Sequence, residues 1–484
     1  MSPAARARVA EVLKSLRDSD SSLTQVHLGS LGIGVDTATQ IAAALQHNST
    51  VSSLSLGKNY IGDSGVQLLV PALIPNPSLI ELNLEGNQLT AESIPALNSL
   101  LSHSSSLASL SMCYNPLGSN AIHALREGLT RTHSLTELWL SQACLKDEGG
   151  AALFEILEHN SSLTALGLSQ NGIGHRSGLA LAKYLASNNS LKSLNLFMNN
   201  LGDLSFSHII RALSSNFALT HLDVRNNRLS AAGLTEFPTS LHNNTALRRL
   251  SLGSNPISDH GACSIAAMLA TNTTIDTLEL SQCQIESVGI YHIATALARN
   301  SALTDLSLDS NLIANEGASH LASALHDNST LTKLRLGRTG LGDDGAVLIA
   351  ESLEMNSSLL YLGLRDCQIG SWGLQRIAQA LCFNSTLSTL ALSGNRMTRS
   401  QGQLFIRLFD VNSSITSLSI QCDDYLSMVD DAVFDLTMRN LLNSFERERT
   451  LFLTLFQHLF ECPRKKRVAG NPKKLQESKK ECRR

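Results

Sequence analysis

An aliphatic residue returns every 28 positions through most of this chain: Leu23, Val51, Leu79, Leu107, Leu135, Leu163, Leu191, Leu219, Leu247, Ile275, Leu303, Leu331, Leu359, Leu387 and Ile415. No insertion or deletion breaks the register. A chain of 484 residues could hold two or three ordinary domains. A period of this length, held without a slip, calls instead for one array of like units, each burying its apolar side against the next. The array has fourteen complete repeats over 23–414 and a fifteenth strand at 415–420. Repeats are numbered from Leu23, and positions within a repeat run from 1 to 28.

Each repeat splits into two halves. The first alternates, as in Leu82-Asn83-Leu84, which is the period of a strand with one buried face. The second has helical spacing. Position 19 is large and apolar throughout, from Ile41 and Leu69 to Ile377 and Phe405, and position 23 is Leu until Phe409. Four residues apart, the two share a helix face. Position 15 is small almost throughout, with Gly65, Gly149, Gly233, Gly261, Gly289, Gly317, Gly345 and Gly373, so the helix can start close to the strand layer. Aromatic residues make up only 4% of the chain, so the core must be aliphatic.

Two asparagine columns run through the array. Position 9 holds Asn59, Asn87, Asn115, Asn171, Asn199, Asn227, Asn255, Asn311 and Asn395. It lies where the chain turns out of the strand, and a backbone polar group buried there unpaired would cost ~1–3 kcal/mol. An amide both donates and accepts, so a stack of asparagines can bond the loops of neighbouring repeats. Thr339, Cys283 and Cys367 are weaker substitutes, and Ala143 cannot bond, so the ladder is expected to be weakest there. Position 26 holds Asn48, Asn76, Asn160, Asn188, Asn216, Asn244, Asn272, Asn300, Asn328, Asn356, Asn384 and Asn412. Asn tolerates the left-handed conformation that ends many helices, and this column is expected to use it. The many N-x-S/T triplets follow from that column and are not read as glycosylation sites.

The frame LxxLxLxxNxL with a helical second half resembles the leucine-rich repeat. Its 28-residue length is similar to the ribonuclease-inhibitor-like class and to the repeat region of NOD-like receptors, as in LYLGLRDC at 360–367. The resemblance implies an α/β solenoid, or horseshoe, with parallel strands on the concave face and helices on the convex face. It also implies a scaffold or sensor module that binds a protein partner on the concave face. Two other members of the class, the Ran GTPase-activating protein and ribonuclease inhibitor, suggest alternative roles as a GTPase activator or an enzyme inhibitor. A NOD-like receptor's nucleotide-binding domain needs a GxxxxGK[ST] loop, and this sequence has none.

No sequence motif for catalysis is present: no HExxH, no GxSxG, no CxxC. The chain is expected not to be an enzyme and to need no cofactor, metal or small-molecule substrate. No apolar run approaches the ~20 residues of a spanning helix. An odd count of nine scattered cysteines fits a reduced, cytoplasmic chain. Nucleic acid is not expected as a partner, and the oligomeric state is left open.

The variable positions 3, 5, 7 and 8 are expected to face outward from the sheet. In early repeats they are plain, as in Ser53, Ser55 and Gly57. Later ones carry Glu137 and Trp139, Phe197 and Met198, Asp223 and Arg225, Arg249, Glu279, Asp305 and Asp309, Lys333 and Arg335, and Tyr361 with Arg365. Aromatic anchors flanked by charges are the composition of a protein interface, and these residues are the candidate partner-binding strip.

The ends depart from the repeat. Residues 1–22 are expected to form an N-terminal helical cap. Residues 421–462, with Leu451, Phe452, Leu455, Phe456, Leu459 and Phe460 at helical spacing, are expected to form a C-terminal helical cap. Residues 463–484 hold ten Lys/Arg against two Glu, a charge of +8, which leaves −11 on the rest of a chain totalling −3. This tail is expected to be disordered. Within it Arg464, Lys465, Lys466 and Arg467 resemble a nuclear import signal, which would give the protein a nuclear as well as a cytoplasmic location.

Overall fold

The computed structural model describes residues 1–18, 20–395, 397, 398, 401, 405 and 412–420. Fifteen three-residue strands, from Gln25–His27 to Ser417–Ser419, lie side by side in sequence order in one parallel sheet. Each strand takes positions 3–5 of its repeat, and the register steps by 28: Leu82 is paired with Leu54 on one side and Leu110 on the other. A helix follows almost every strand, as in Lys146–Leu157 of repeat 5 and Ser371–Leu381 of repeat 13. This is an α/β leucine-rich-repeat solenoid. Strands pack at ~4.8 Å and helices at ~8–10 Å, so the sheet takes the inner, concave side of the curve.

The core is one continuous aliphatic layer between sheet and helices. Positions 4 and 6 of the strand half and positions 19 and 23 of the helix half are buried together, as with Leu278, Leu280, Ile293 and Leu297. The small residue at position 15 has the packing role expected of it. A Cβ on Gly289 would lie 2.7 Å from Cγ2 of Ile285, the apolar residue at position 11 that wedges under the helix start. At the N-terminus the helix Pro3–Arg17 is capped by Ser2, whose Oγ accepts the Ala5 N–H at 3.2 Å. It buries Val9, Leu13 and Leu16 against the first repeat. The expected cap at 421–462 and the basic tail at 463–484 lie outside the described residues.

The position-9 asparagines form the expected ladder. The side chain of Asn115 makes five bonds across two repeats, one of them from Nδ2 to Cys113 O at 3.1 Å. Its Nδ2 donates to Leu84 O and Met112 O at 3.0 Å each. Its Oδ1 accepts from Asn87 N at 2.8 Å and Leu89 N at 3.0 Å. Ala143 supplies none of this to repeat 4, where the Leu117 N–H turns back to Asn115 O at 2.8 Å. Thr339 Oγ1 and Cys367 Sγ both donate to Leu336 O, at 2.5 and 2.9 Å. Burial, ahead of all other influences, pushes the Cys283 thiol up to about 12, so it is an inert filler.

The position-26 column works differently from expectation. None of its described residues has positive φ; Asn188, Asn328 and Asn356 sit at −83°, −85° and −73°. They form a second ladder instead. Asn216 Nδ2 donates to Leu185 O and Asn188 O, both at 2.8 Å, while its Oδ1 accepts from Ala218 N and Leu219 N. The side chain ties the end of one helix to the previous repeat and starts the next strand. No left-handed residue is needed, because the chain leaves the helix directly into extended backbone.

The left-handed residues lie elsewhere. Position 8 has positive φ in all fourteen repeats, and only Gly86 and Gly394 are glycines there. Its N–H reaches position 7 of the next repeat, as in Tyr114 N to Ser141 O at 2.8 Å. A second left-handed residue then alternates. It falls at position 10 in repeats 1, 3, 6, 8, 10 and 13, at position 12 in repeats 2, 4, 7, 9 and 11, and at both in repeats 5 and 12. In five of the repeats with the position-12 turn, position 13 is Asp63, Asp147, Asp203, Asp259 or Asp343. Each accepts the position-12 N–H of the following repeat at 2.6–2.9 Å. An acidic oxygen thus caps a helix from the neighbouring repeat, where helices such as His175–Ser187 have no side-chain cap of their own.

Candidate functional site on the concave face

The sheet gives the candidate residues a ruler. Repeats 5 and 13 are eight strands apart, roughly 38 Å along the sheet. The candidate strip is therefore two clusters with a sparse stretch between them.

The first cluster spans repeats 5–8. Trp139 lies across Gly167 of the next strand, where a Cβ would overlap its ring. Its Nε1 donates to Glu137 at 3.4 Å, and the same Glu137 oxygen accepts Ser109 Oγ at 3.0 Å. Arg225 covers the Phe197 ring at 5.2 Å and is itself gripped by Asp223 through contacts of 2.6 and 3.0 Å. Trp139 and Phe197 are half-buried, while Met198 is exposed on the left-handed turn. Position 8 is thus a turn position at the end of the strand half, not a strand position.

Between the clusters, Glu279 is folded onto the sheet and accepts from Gly253 N at 3.0 Å and Ser281 N at 2.9 Å. Arg249 stands exposed beside His221, whose pKa is lowered by burial first and by Arg249 second.

The second cluster spans repeats 11–13. Arg335 grips Asp305 at 2.6 and 3.3 Å, with Lys333 3.7 Å from the same carboxylate. Both cations lie against the Tyr361 ring, at 5.1 Å for Lys333 and 5.8 Å for Arg335. Asp309 accepts the Gly337 N–H at 2.6 Å and is held above the usual carboxylate range by burial, which outweighs Gly337, Arg335, Ser307 and Arg365. Arg338 pairs with Asp366 at 3.1 Å. Arg365 is exposed and in no ion pair among the described residues. Arg335, Tyr361, Asp309, Arg338, Asp366 and Arg365 surround a recess of about 390 Å³ floored by Gly337 and Gly363.

Sequence reasoning missed that floor, and it missed Arg338 and Asp366. The available signal was glycine at positions 5 and 7, where neighbouring repeats carry side chains. Cys283 and Cys367 are free and buried. Among the described residues no group of three or more His, Cys, Asp or Glu could hold a metal ion, and no helix is long and apolar enough to cross a membrane.

Comparison with known proteins agrees with this architecture. A leucine-rich-repeat family model matches six stretches, at 47–70, 76–97, 159–182, 187–205, 215–237 and 243–266. The model of the tropomodulin/leiomodin (TMOD/LMOD) leucine-rich domain matches 263–365. The chain is a leucine-rich-repeat protein, a kind of scaffold typical of protein–protein interaction. No curated protein matches it in sequence. Among solved structures, the yeast Rad7–Elc1 complex contains a chain 20% identical, covering 76% of this chain and 90% of that one with a TM-score of 0.49. An internalin from Listeria monocytogenes is 21% identical over 81% and 95%, with a TM-score of 0.49. The tropomodulin C-terminal domain of Caenorhabditis elegans is 17% identical over 33% and 96%, with a TM-score of 0.30.

Proposed function

We propose that this protein is a binding module whose concave face, centred on repeats 5–8, holds a protein partner. The observation that supports this most is the pair Trp139 and Phe197. Two half-buried aromatic side chains stand on a sheet face whose other outward positions are small or polar, with Glu137 beside Trp139 and Arg225 over Phe197. Both are already laid down by their neighbours, Trp139 on Gly167 and Phe197 under Arg225. They lose little freedom on binding, which is the property of an interface anchor. The 28-residue repeat with its helical second half supports a scaffold or sensor role of the ribonuclease-inhibitor-like and NOD-like-receptor type. The role is one of recognition without catalysis.

The test is affinity capture from cell lysate, with the wild type beside a Trp139→Ala/Phe197→Ala double variant. A partner held by the wild type and lost by the variant is expected. In a titration with that partner, Trp139→Ala alone should cost more than ~1 kcal/mol. A partner held equally by both would remove repeats 5–8 from the interface.

A further inference from the structure

Repeats 5–6 and repeats 12–13 are counterparts, seven repeats or 196 residues apart. Gly167 corresponds to Gly363, Asp147 to Asp343, and Ala143 to Thr339. These are the two places where both left-handed turns fall in one repeat, at Cys144 and Lys146 and at Gly340 and Gly342. In both, the position-13 aspartate caps the following helix. The frames match, so differences on the sheet face stand out. Glu137, Trp139, Gln142 and Ser169 in the first pair become Lys333, Arg335, Arg338 and Arg365 in the second. Four cations have appeared where the counterpart has none. Ser141 has become Gly337, which opens the floor.

The cations are not all neutralised. Asp305 engages Arg335 and Lys333, and Asp366 engages Arg338. Arg365 remains, exposed, on one side of Gly337, with Asp309 on the other. Asp309 spends one oxygen on the Gly337 N–H at 2.6 Å. Three cations lining the recess, Arg335, Arg338 and Arg365, thus face two carboxylates, Asp309 and Asp366, on a chain that carries −11 outside its basic tail. A cationic spot on that acidic body, apart from the basic tail, draws anions to itself. Its volume of about 390 Å³ has room for an acidic side chain and the backbone carrying it. We propose that the recess over Gly337 and Gly363 anchors an acidic segment of the protein partner, with Arg365 as the principal contact to its carboxylate. This rests on the protein-binding role proposed for the concave face, and it adds a second contact point with its own chemistry.

The probe is fluorescein-labelled octaglutamate, titrated with the full-length protein by fluorescence anisotropy at about 50 mM salt, where surface charge is weakly screened. Octalysine and oligothymidylate serve as controls. Octaglutamate should bind, Arg365→Glu should weaken it roughly tenfold, and Asp309→Asn should tighten it. The Asp309→Asn change keeps an acceptor for the Gly337 N–H while removing a charge like that of the probe, and neither variant should melt below the wild type. Opposite effects from two well-folded variants cannot come from general damage. No binding of octaglutamate, indifference to Arg365→Glu, or preference for octalysine would overturn the proposal. Oligothymidylate bound as tightly, with the same dependence on Arg365, would overturn it in favour of a nucleic-acid phosphate. Failure here alongside partner loss in the Trp139→Ala/Phe197→Ala variant would remove the acidic anchor alone. Partner retention in that variant would instead count against the placement on repeats 5–8.

Discussion

Repeats 5–6 and 12–13 share a glycine-floored sheet and an aspartate that caps the next helix, yet present opposite faces. One offers an indole over Gly167, the other a ring of guanidinium groups around Gly337 and Gly363. Their ladders differ too. Ala143 leaves its rung empty, while Thr339 still donates to Leu336 O at 2.5 Å. The difference teaches where this architecture is free to vary. Backbone-directed side chains hold the frame, so the outward positions can change charge and size without disturbing it.

The largest expected effect would come from widening the empty rung. Asn171 serves both sides: it accepts from Ala143 N at 2.9 Å and Leu145 N at 3.3 Å, and donates to Leu140 O at 2.7 Å and Leu168 O at 3.1 Å. Asn171→Ala should cost about 3 kcal/mol in urea unfolding, against about 1 kcal/mol for Thr339→Ala. The reverse change, Ala143→Asn, should add about 1 kcal/mol by restoring bonds of the kind Asn115 makes. Equal costs for Asn171→Ala and Thr339→Ala would break the comparison, and so would unchanged stability in Ala143→Asn.

A smaller effect should appear on acidification. Burial alone would raise the Asp147 carboxyl, but the Ser177 N–H and hydroxyl and the Gly174 and Arg176 N–H groups outweigh it and hold the group below its ordinary 3.8. A depressed carboxylate stabilises the fold above its unfolded pKa, and that contribution is lost as pH falls through the folded value. Asp147→Ala should therefore cost about 0.5–2 kcal/mol at pH ~7, and that cost should shrink as pH falls through the folded value, in thermal melts across pH. Asp309 has the opposite sign. Its folded pKa is raised by burial, so it costs stability above 3.8 and that cost is relieved as pH falls. Asp309→Asn should gain less than about 1 kcal/mol at neutral pH and nothing in acid. A gain that persists near pH ~3 would contradict the burial account.

The fold was legible in the sequence because its causes are periodic. Leucines at 4 and 6, apolar residues at 19 and 23, and the asparagine at 9 each repeat for a local reason. The position-26 asparagine was legible as a helix terminator but not in its conformation, because its partners, such as Leu185 O for Asn216, lie in the preceding repeat. The aspartate caps were hidden for the same reason: Asp147 acts on Gly174, 27 residues away. Trp139 and Arg365 could be picked as outward-facing from their positions. That Glu279 is folded onto the backbone while Arg365 is in no ion pair among the described residues could not, since that outcome depends on side-chain pairing across strands.

The position-8 turn has a consequence for the array as a mechanical object. Twelve of its fourteen turns hold a residue other than glycine at φ of 53–60°. At about 1 kcal/mol each, the strain approaches the whole net stability of an ordinary domain. No turn could hold that shape alone; it is clamped by the neighbour whose carbonyl it reaches. The solenoid therefore behaves like a masonry arch, in which every stone is loaded and the outermost have a neighbour on one side only. Shortening it by one repeat would not simply remove 28 residues; it would transfer the unclamped position to the next turn inward.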